Sequence, residues 1–170
     1  MTRKTFIALA SVLLILIIAL VLVVLTKSGL LDLSKVPAAS SQSLSGQVSE
    51  DTPVTRLTVQ DGVVGHVIVD DFETFIKEAD RPVFVDFWAA WCGPCRTAAP
   101  FVEQLAIDYD GKAYVVKVNV DYAQSLARAY DAQSIPLFVV FSGGKPVDRT
   151  VGYADAIQSE LRRMIDDQLG

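Results

Sequence analysis

The sequence holds two cysteines and one histidine in 170 residues. A structural zinc site takes about four ligands, and Cys92, Cys95 and His66 do not stand at metal-ligand spacing, so a metal centre is set aside. Basic residues are scarce where the chain is globular. From residue 61 to the end there are 10 Lys and Arg against 17 Asp and Glu. A nucleic-acid binder presents a basic face, and none is visible here, so that class is set aside too. No internal repeat is present, and no cysteine stands where a lipid attachment would need one.

What the sequence does have is an excess of apolar residues, 51% of the chain. Much of it lies in residues 6–25, where only Ser11 is polar. A helix of this length, rising about 1.5 Å per residue, spans about 30 Å, the thickness of a bilayer's hydrocarbon core. Arg3 and Lys4 precede it with no acid nearby, which holds the N-terminus in the cytoplasm by the positive-inside tendency. Lys27 and Lys35 beyond the far end act weakly against that orientation. A cleaved signal peptide is the alternative. The apolar run exceeds the roughly 7–15 residues of a signal h-region, and Leu25-Thr26-Lys27 is a poor cleavage site. The expectation is an uncleaved single-pass anchor; either way the remainder of the chain is exported.

The organisation expected is an N-terminal anchor over 1–27, a flexible tether over 28–60 and a folded domain over 61–170. Residues 40–47 are small and polar with no periodic apolar face; residues 54–59 could add a short strand but are assigned to the tether. Within the domain, 63–69 is a β-branched run that predicts a strand. Asp70 or Asp71 can cap a helix whose apolar positions, Phe72, Phe75, Ile76 and Ala79, share one face. Residues 83–88 read as a buried strand, and a second helix opens at Cys92. A strand over 113–120, a short helix over 122–130 and a hairpin of 137–141 with 147–151 follow. A closing helix is marked by Ile157, Leu161, Met164 and Ile165. The order β-α-β-α-β-α-β-β-α predicts an α/β fold whose central mixed sheet of four to five strands is flanked by helices, with an antiparallel hairpin at one edge.

The chemistry-bearing feature is the cysteine pair, three residues apart. At the start of a helix both fall on neighbouring positions of one face, close enough to bridge. Unpaired N–H groups and the helix dipole stabilise a thiolate at the first position. The thiolate is the nucleophile of disulfide exchange, so Cys92 is the candidate attacker and Cys95 the candidate resolving thiol. Pro94 suits a first-turn position, where its missing N–H costs nothing. A purely structural disulfide is the plain alternative, but so short a loop restrains the unfolded chain little.

The stretch Phe87-Trp88-Ala89-Ala90-Trp91-Cys92-Gly93-Pro94-Cys95 resembles the active-site segment of the thioredoxin family. Lys117-Val118-Asn119-Val120-Asp121, Ser134-Ile135-Pro136, Phe141-Ser142-Gly143-Gly144-Lys145 and Val151-Gly152 resemble, in order, its central strand, its cis-proline loop, its hairpin and the glycine beyond. The likeness runs from His66 to the C-terminus. It implies a thioredoxin fold and a thiol-disulfide oxidoreductase without a cofactor. It also implies that Asp86, on a buried strand, has a raised pKa and takes a proton from Cys95, with Lys117 tuning it. Trp91, Gly93, Pro94, Ile135, a cis Pro136 and Leu137 would line the substrate site, whose backbone pairs with an extended chain. Trp88 and His66 are read as a packing residue and a strand residue. Leu137 stands where thioredoxins typically carry threonine, and the resemblance places it beside the cysteines.

The expected function is reduction of disulfides in exported proteins. The head, read as monomeric, would stand on the periplasmic or extracytoplasmic side of the cytoplasmic membrane and draw electrons from a membrane-embedded donor. Gly-Pro between the cysteines resembles the reducing members of the family; the strong oxidants more often carry a histidine there. A disulfide oxidase or isomerase of the same fold, and a non-catalytic binding module, are the alternatives.

Overall fold

The computed structural model describes residues 16–21 and 51–170. The chain divides into two units, Met1–Ser43 and Leu44–Gly170. In the first, residues 16–21 are helical with exposed apolar side chains. The rest of the expected anchor at 6–25, and residues 28–50 of the expected tether, lie outside the described residues. Among the described residues no helix is long and apolar enough to cross a membrane.

The second unit is built on six strands and four α-helices. In chain order they are β1 (Val54–Gln60), β2 (Val63–Ile68), α1 (Phe72–Glu78), β3 (Val83–Trp88), α2 (Gly93–Asp108), β4 (Tyr114–Asn119), α3 (Gln124–Ala129), β5 (Leu137–Ser142), β6 (Lys145–Val151) and α4 (Gln158–Asp166). The sheet order is β2-β1-β4-β3-β5-β6. Strands β3 and β4 run parallel; every other neighbouring pair is antiparallel.

The sheet therefore has six strands, not four to five, and the last seven residues assigned to the tether are β1. The pattern of Val54-Thr55-Arg56-Leu57-Thr58-Val59 interleaves polar residues on both faces, so neither alternation nor a continuous apolar run announces a strand. The stronger signal is the next dipeptide. Asp61 and Gly62 both adopt positive φ, 52° and 77°. Asp-Gly in that conformation is the two-residue turn whose twist matches the flanking strands of a hairpin. β1 takes the place beside β4, pairing Val54 with Val118 and Leu57 with Val115, and pushes β2 to the sheet edge.

Strands β3 and β5 are buried on both faces, which is why they read as continuous apolar runs rather than alternating ones. On one face Leu57, Phe84, Val115 and Phe138 pack under α2 and α4. On the other, Val85, Phe87, Val118, Leu137 and Phe141 pack with Phe72 and Ile76 of α1. Asp71 caps α1, its carboxylate accepting from the Thr74 amide at 3.0 Å and the Thr74 hydroxyl at 2.7 Å. Because β3 and β4 are parallel, their C-terminal ends, Trp88 and Asn119, reach the same edge of the sheet. The loop after β3 opens α2 there.

If β1 is integral to the core, Leu57→Ala, at a side chain 5% exposed, should cost about 2–5 kcal/mol in urea unfolding. Val63→Ala on the exposed edge should change stability by less than about 0.5 kcal/mol. Equal, small effects would return β1 to the tether.

Candidate redox site

Cys92 is the N-cap of α2 and Cys95 lies in its first turn. The two are joined as a disulfide, with sulfurs 2.03 Å and Cα atoms 5.3 Å apart. The Cys92 sulfur accepts from the Cys95 amide at 3.1 Å, so the attacker expected from the sequence sits on an otherwise orphaned helix N–H. Exposure does not separate the two cysteines, which are 4% and 3% accessible. Their difference lies in position on the helix. The disulfide packs with Ala89 against Trp88, Val120 and Ile135.

Around this recessed pair the surface is open. Trp91 is 67% exposed, and its indole N–H donates to the Asp121 carboxylate at 3.0 and 3.2 Å. Gly93 and Pro94 are exposed at the start of α2. A Cβ built on Gly93 would meet nothing within 4 Å, so the protein itself does not require glycine there. The Ile135–Pro136 peptide is cis, and the Ile135 carbonyl oxygen lies 3.7 Å from the Cys92 sulfur. The structure thus brings Cys92, Cys95, Trp91, Gly93, Pro94, Ile135 and Pro136 to one edge of the sheet.

Leu137 is the correction. Its side chain is fully buried in the core beneath α1, with Phe87, Val118 and Phe141, and is no part of the cluster around the cysteines. Successive side chains of a strand point to opposite faces. As the first residue of β5, Leu137 falls on the face away from α2 and acts as a packing residue, not a substrate contact.

Asp86 and Lys117 oppose each other across the parallel β3–β4 pair. Asp86 alternates with Phe84 and Trp88, on the face that α2 covers. It is 1% exposed, and among the described residues its Oδ1 has no hydrogen-bond partner. Burial pushes its pKa up to about 6, against a smaller opposing pull from Lys117. Lys117 is itself buried, with its ammonium 4.5 Å from the Trp88 ring centroid and no ion pair to Asp86 among the described residues. His66 lies on the same face of β2, held below the usual histidine range by burial and by Lys117.

Two residues to which the sequence reading gave no site role also shape the site. Asp121 receives the Trp91 indole, and its own amide donates to the Asn119 side chain at 3.0 Å. Arg96 donates from its side chain to the Ala90 carbonyl at 2.8 Å. Neither is legible from spacing, because both contacts are made around the loop after β3.

The family model described as Thioredoxin matches residues 63–167. The chain is 44% identical over 100 residues to a thioredoxin of Chlorobaculum thiosulfatiphilum, covering 59% of this chain and 91% of that one. It is 44% identical over 99 residues to a thioredoxin of Staphylococcus epidermidis, covering 58% and 91% respectively. Among solved structures it resembles the oxidized form of mitochondrial thioredoxin 3 from Saccharomyces cerevisiae, with TM-score 0.51 and 30% identity over 56% of this chain and 86% of that one. Strand β1 lies ahead of the residues the family model matches.

The buried carboxyl has a measurable signature. The folded state holds the Asp86 proton more tightly than the unfolded chain between pH 3.8 and about 6. Stability should therefore fall as pH rises through that window, by on the order of 3 kcal/mol. Asp86→Asn should remove that slope and be the more stable protein at pH 7. Urea unfolding of the oxidised protein at pH 4 and 7.5 measures both; an unchanged slope in the variant would show that Asp86 does not carry it.

Proposed function

Because the chain belongs to the thioredoxin family of thiol-disulfide oxidoreductases, we propose that it works as a reductase of exported protein disulfides, anchored by residues 6–25 with its head outside the cytoplasmic membrane. The observation that carries the thiol chemistry is Asp86, buried on the face of β3 that α2 covers; the reducing direction rests on the Gly93-Pro94 pair between the cysteines, which resembles the reducing members of the family. With a pKa near 6 Asp86 is a base matched to neutral pH, placed behind the helix turn that holds Cys95.

The dithiol is the working form. The Cys92 thiolate attacks one sulfur of a substrate disulfide, forming a mixed disulfide and expelling the other sulfur as a thiolate. Cys95 gives its proton to Asp86 and attacks the Cys92 sulfur. The mixed disulfide breaks, the substrate departs carrying two more electrons, and the Cys92–Cys95 bond seen here is formed. Lys117 restrains how far the Asp86 pKa rises. Trp91, Gly93, Pro94 and the Ile135–Pro136 backbone form the docking edge. A cycle outside the cytoplasm needs two electrons from elsewhere, supplied by a membrane-embedded thiol donor.

What supports the anchored placement is the sequence: 20 residues with one polar side chain behind a basic N-terminus. The two parts of the reading fail separately. Extraction of cell membranes with alkaline carbonate should leave the chain in the pellet, and protease added outside the cytoplasmic membrane should remove the head. A soluble fraction would end the anchored placement alone.

The direction is tested by equilibrating the protein with glutathione buffers. Oxidised protein persisting in strongly reducing buffer is the expected outcome, at a potential near the roughly −270 mV of a general thioredoxin. A dithiol that persists in mildly oxidising buffer would identify an oxidase or isomerase instead. Cys92→Ser should abolish reduction of a protein disulfide, whereas Cys95→Ser should stall at the mixed disulfide. Function in cells that survives loss of both cysteines would make the head a binding module.

A further inference from the structure

Trp88 packs, as its sequence context predicts, but packing is not all that its ring does. It ends β3 two residues after Asp86, so both side chains lie on the face that α2 covers. The ring is half-buried and packs on the Cys92–Cys95 disulfide. The Trp88 carbonyl accepts from the Val120 amide at 2.9 Å, which ties the end of β3 to the chain beyond β4.

Lys117 stands directly opposite Asp86 in the parallel β3–β4 pair, so its stem starts nearest the carboxyl. A buried ammonium has three donors and needs compensation for the water it has lost. Two groups offer that: the carboxyl across the strand pair and the aromatic face further along β3. The ammonium lies at the second, 4.5 Å from the Trp88 ring centroid. It makes no ion pair with Asp86 among the described residues. A tryptophan face attracts a cation through its quadrupole, most strongly where water is excluded. The ring thereby draws the lysine charge toward the cysteine edge, and among the described residues the Asp86 Oδ1 is left without a hydrogen-bond partner.

The other groups around this pair do not substitute for the ring. Phe138, opposite Asp86 on β5, and Thr55, opposite Lys117 on β1, are uncharged. From α2, Cys95 is held in the disulfide and Glu103 is exposed. His66 on β2 responds to Lys117 and Glu103. The balance at Asp86 is burial against Lys117, with burial the larger.

We propose that Trp88 is a positioning residue for the proton acceptor: its ring holds the Lys117 ammonium off the Asp86 carboxyl, leaving the carboxyl free to take the proton that Cys95 gives up. Coulombic attraction weakens with distance, so the same lysine set against the carboxyl would favour the anion more strongly. The proposal rests on Asp86 being the acceptor and on nothing about the direction of the cycle or the membrane. The proton passes from the Cys95 sulfur to a carboxyl oxygen of Asp86, and no electron moves with it.

The test is carboxyl-carbon NMR of the oxidised full-length protein in detergent micelles, a form in which the cysteines do not titrate. Asp86→Asn identifies the Asp86 signal, whose titration midpoint is then measured in the wild type, Trp88→Leu and Trp88→Phe. The midpoint should fall by about half to one pH unit in Trp88→Leu, where the lysine loses its ring. It should fall by less in Trp88→Phe, whose ring attracts a cation less well. Both shifts should be largely lost when Lys117→Met is added. A midpoint that stays or rises would overturn the proposal. So would a fall of equal size in the Lys117→Met background, which would mean that water had reached the carboxyl. If Trp88→Leu does not fold, Trp88→Phe with and without Lys117→Met decides the matter by the same criteria. Reduction of a protein disulfide by Asp86→Asn is assayed in parallel. A rate equal to the wild type would end the role of Asp86 as acceptor, a result distinct from the position of Lys117.

Discussion

Strand β3 is buried on both faces, and the one ionisable side chain it carries has nowhere to go. Five of its six residues are inaccessible, Asp86 among them. A carboxyl in that position keeps its proton up to a pH near neutrality because a charge there would be separated from water without full compensation. Lys117, across the β4 pairing, supplies part of that compensation, but among the described residues it makes no ion pair with Asp86. Lys117 pulls the carboxyl back toward the anion, but burial is the larger effect and keeps it above the usual carboxylate range. The helices on either side of the sheet are thus as much a part of the proton chemistry as the cysteines. They exclude the water that would restore Asp86 to its usual range.

The same strand also sets where the sulfurs stand. β3 ends at Trp88 on the edge it shares with the end of β4, and the short loop beyond turns directly into α2 with Cys92 as its cap. Nothing in the surroundings gives Cys92 greater exposure than Cys95. Their distinct roles come from the helix: the cap position receives the Cys95 amide, and a residue one turn on does not. Around the cap, the loop is tied twice. Trp91 is fastened to Asp121 and Ala90 to Arg96. The exposed loop is thereby held by hydrogen bonds at Trp91 and Ala90, while Gly93 and Pro94 stay exposed.

Much of this was legible in the residues because the signals were local. The cap at Asp71, the buried run of β3, the turn of glycines before β6 and the Cys-Gly-Pro-Cys spacing each specify their own neighbourhood. What escaped was what depends on the assembled sheet. β1 carries no clean alternation, since Thr55 and Arg56 break it, and it becomes a strand because β4 and β2 offer partners on both sides. Leu137 stands next to Pro136 in sequence, yet strand alternation turns its side chain into the opposite layer. Arg96 belongs to none of the quoted motifs and Asp121 was read only as the end of the central strand; their contacts close only after the chain has turned from β3 into α2. Asp61-Gly62 was a readable turn, and reading it would have moved the start of the folded head back to β1.

That shift changes how the first residues of the head relate to the cysteines. The family resemblance begins at β2, which lies at the sheet edge, while β1 pairs with both β2 and β4. Pro53, just ahead of β1, accepts from the Asn119 amide at 2.9 Å. Asp51 accepts from the Tyr122 hydroxyl at 2.6 Å. Asn119 in turn holds the Asp121 amide, and Asp121 holds Trp91. The chain entering the head is therefore three contacts away from the residue next to Cys92. An ordinary flexible linker would be indifferent to the redox loop. Here Pro53, through Asn119 and Asp121, joins the set of hydrogen bonds that fixes Trp91. Residues outside the family's own boundaries thereby contribute to the geometry of its active site.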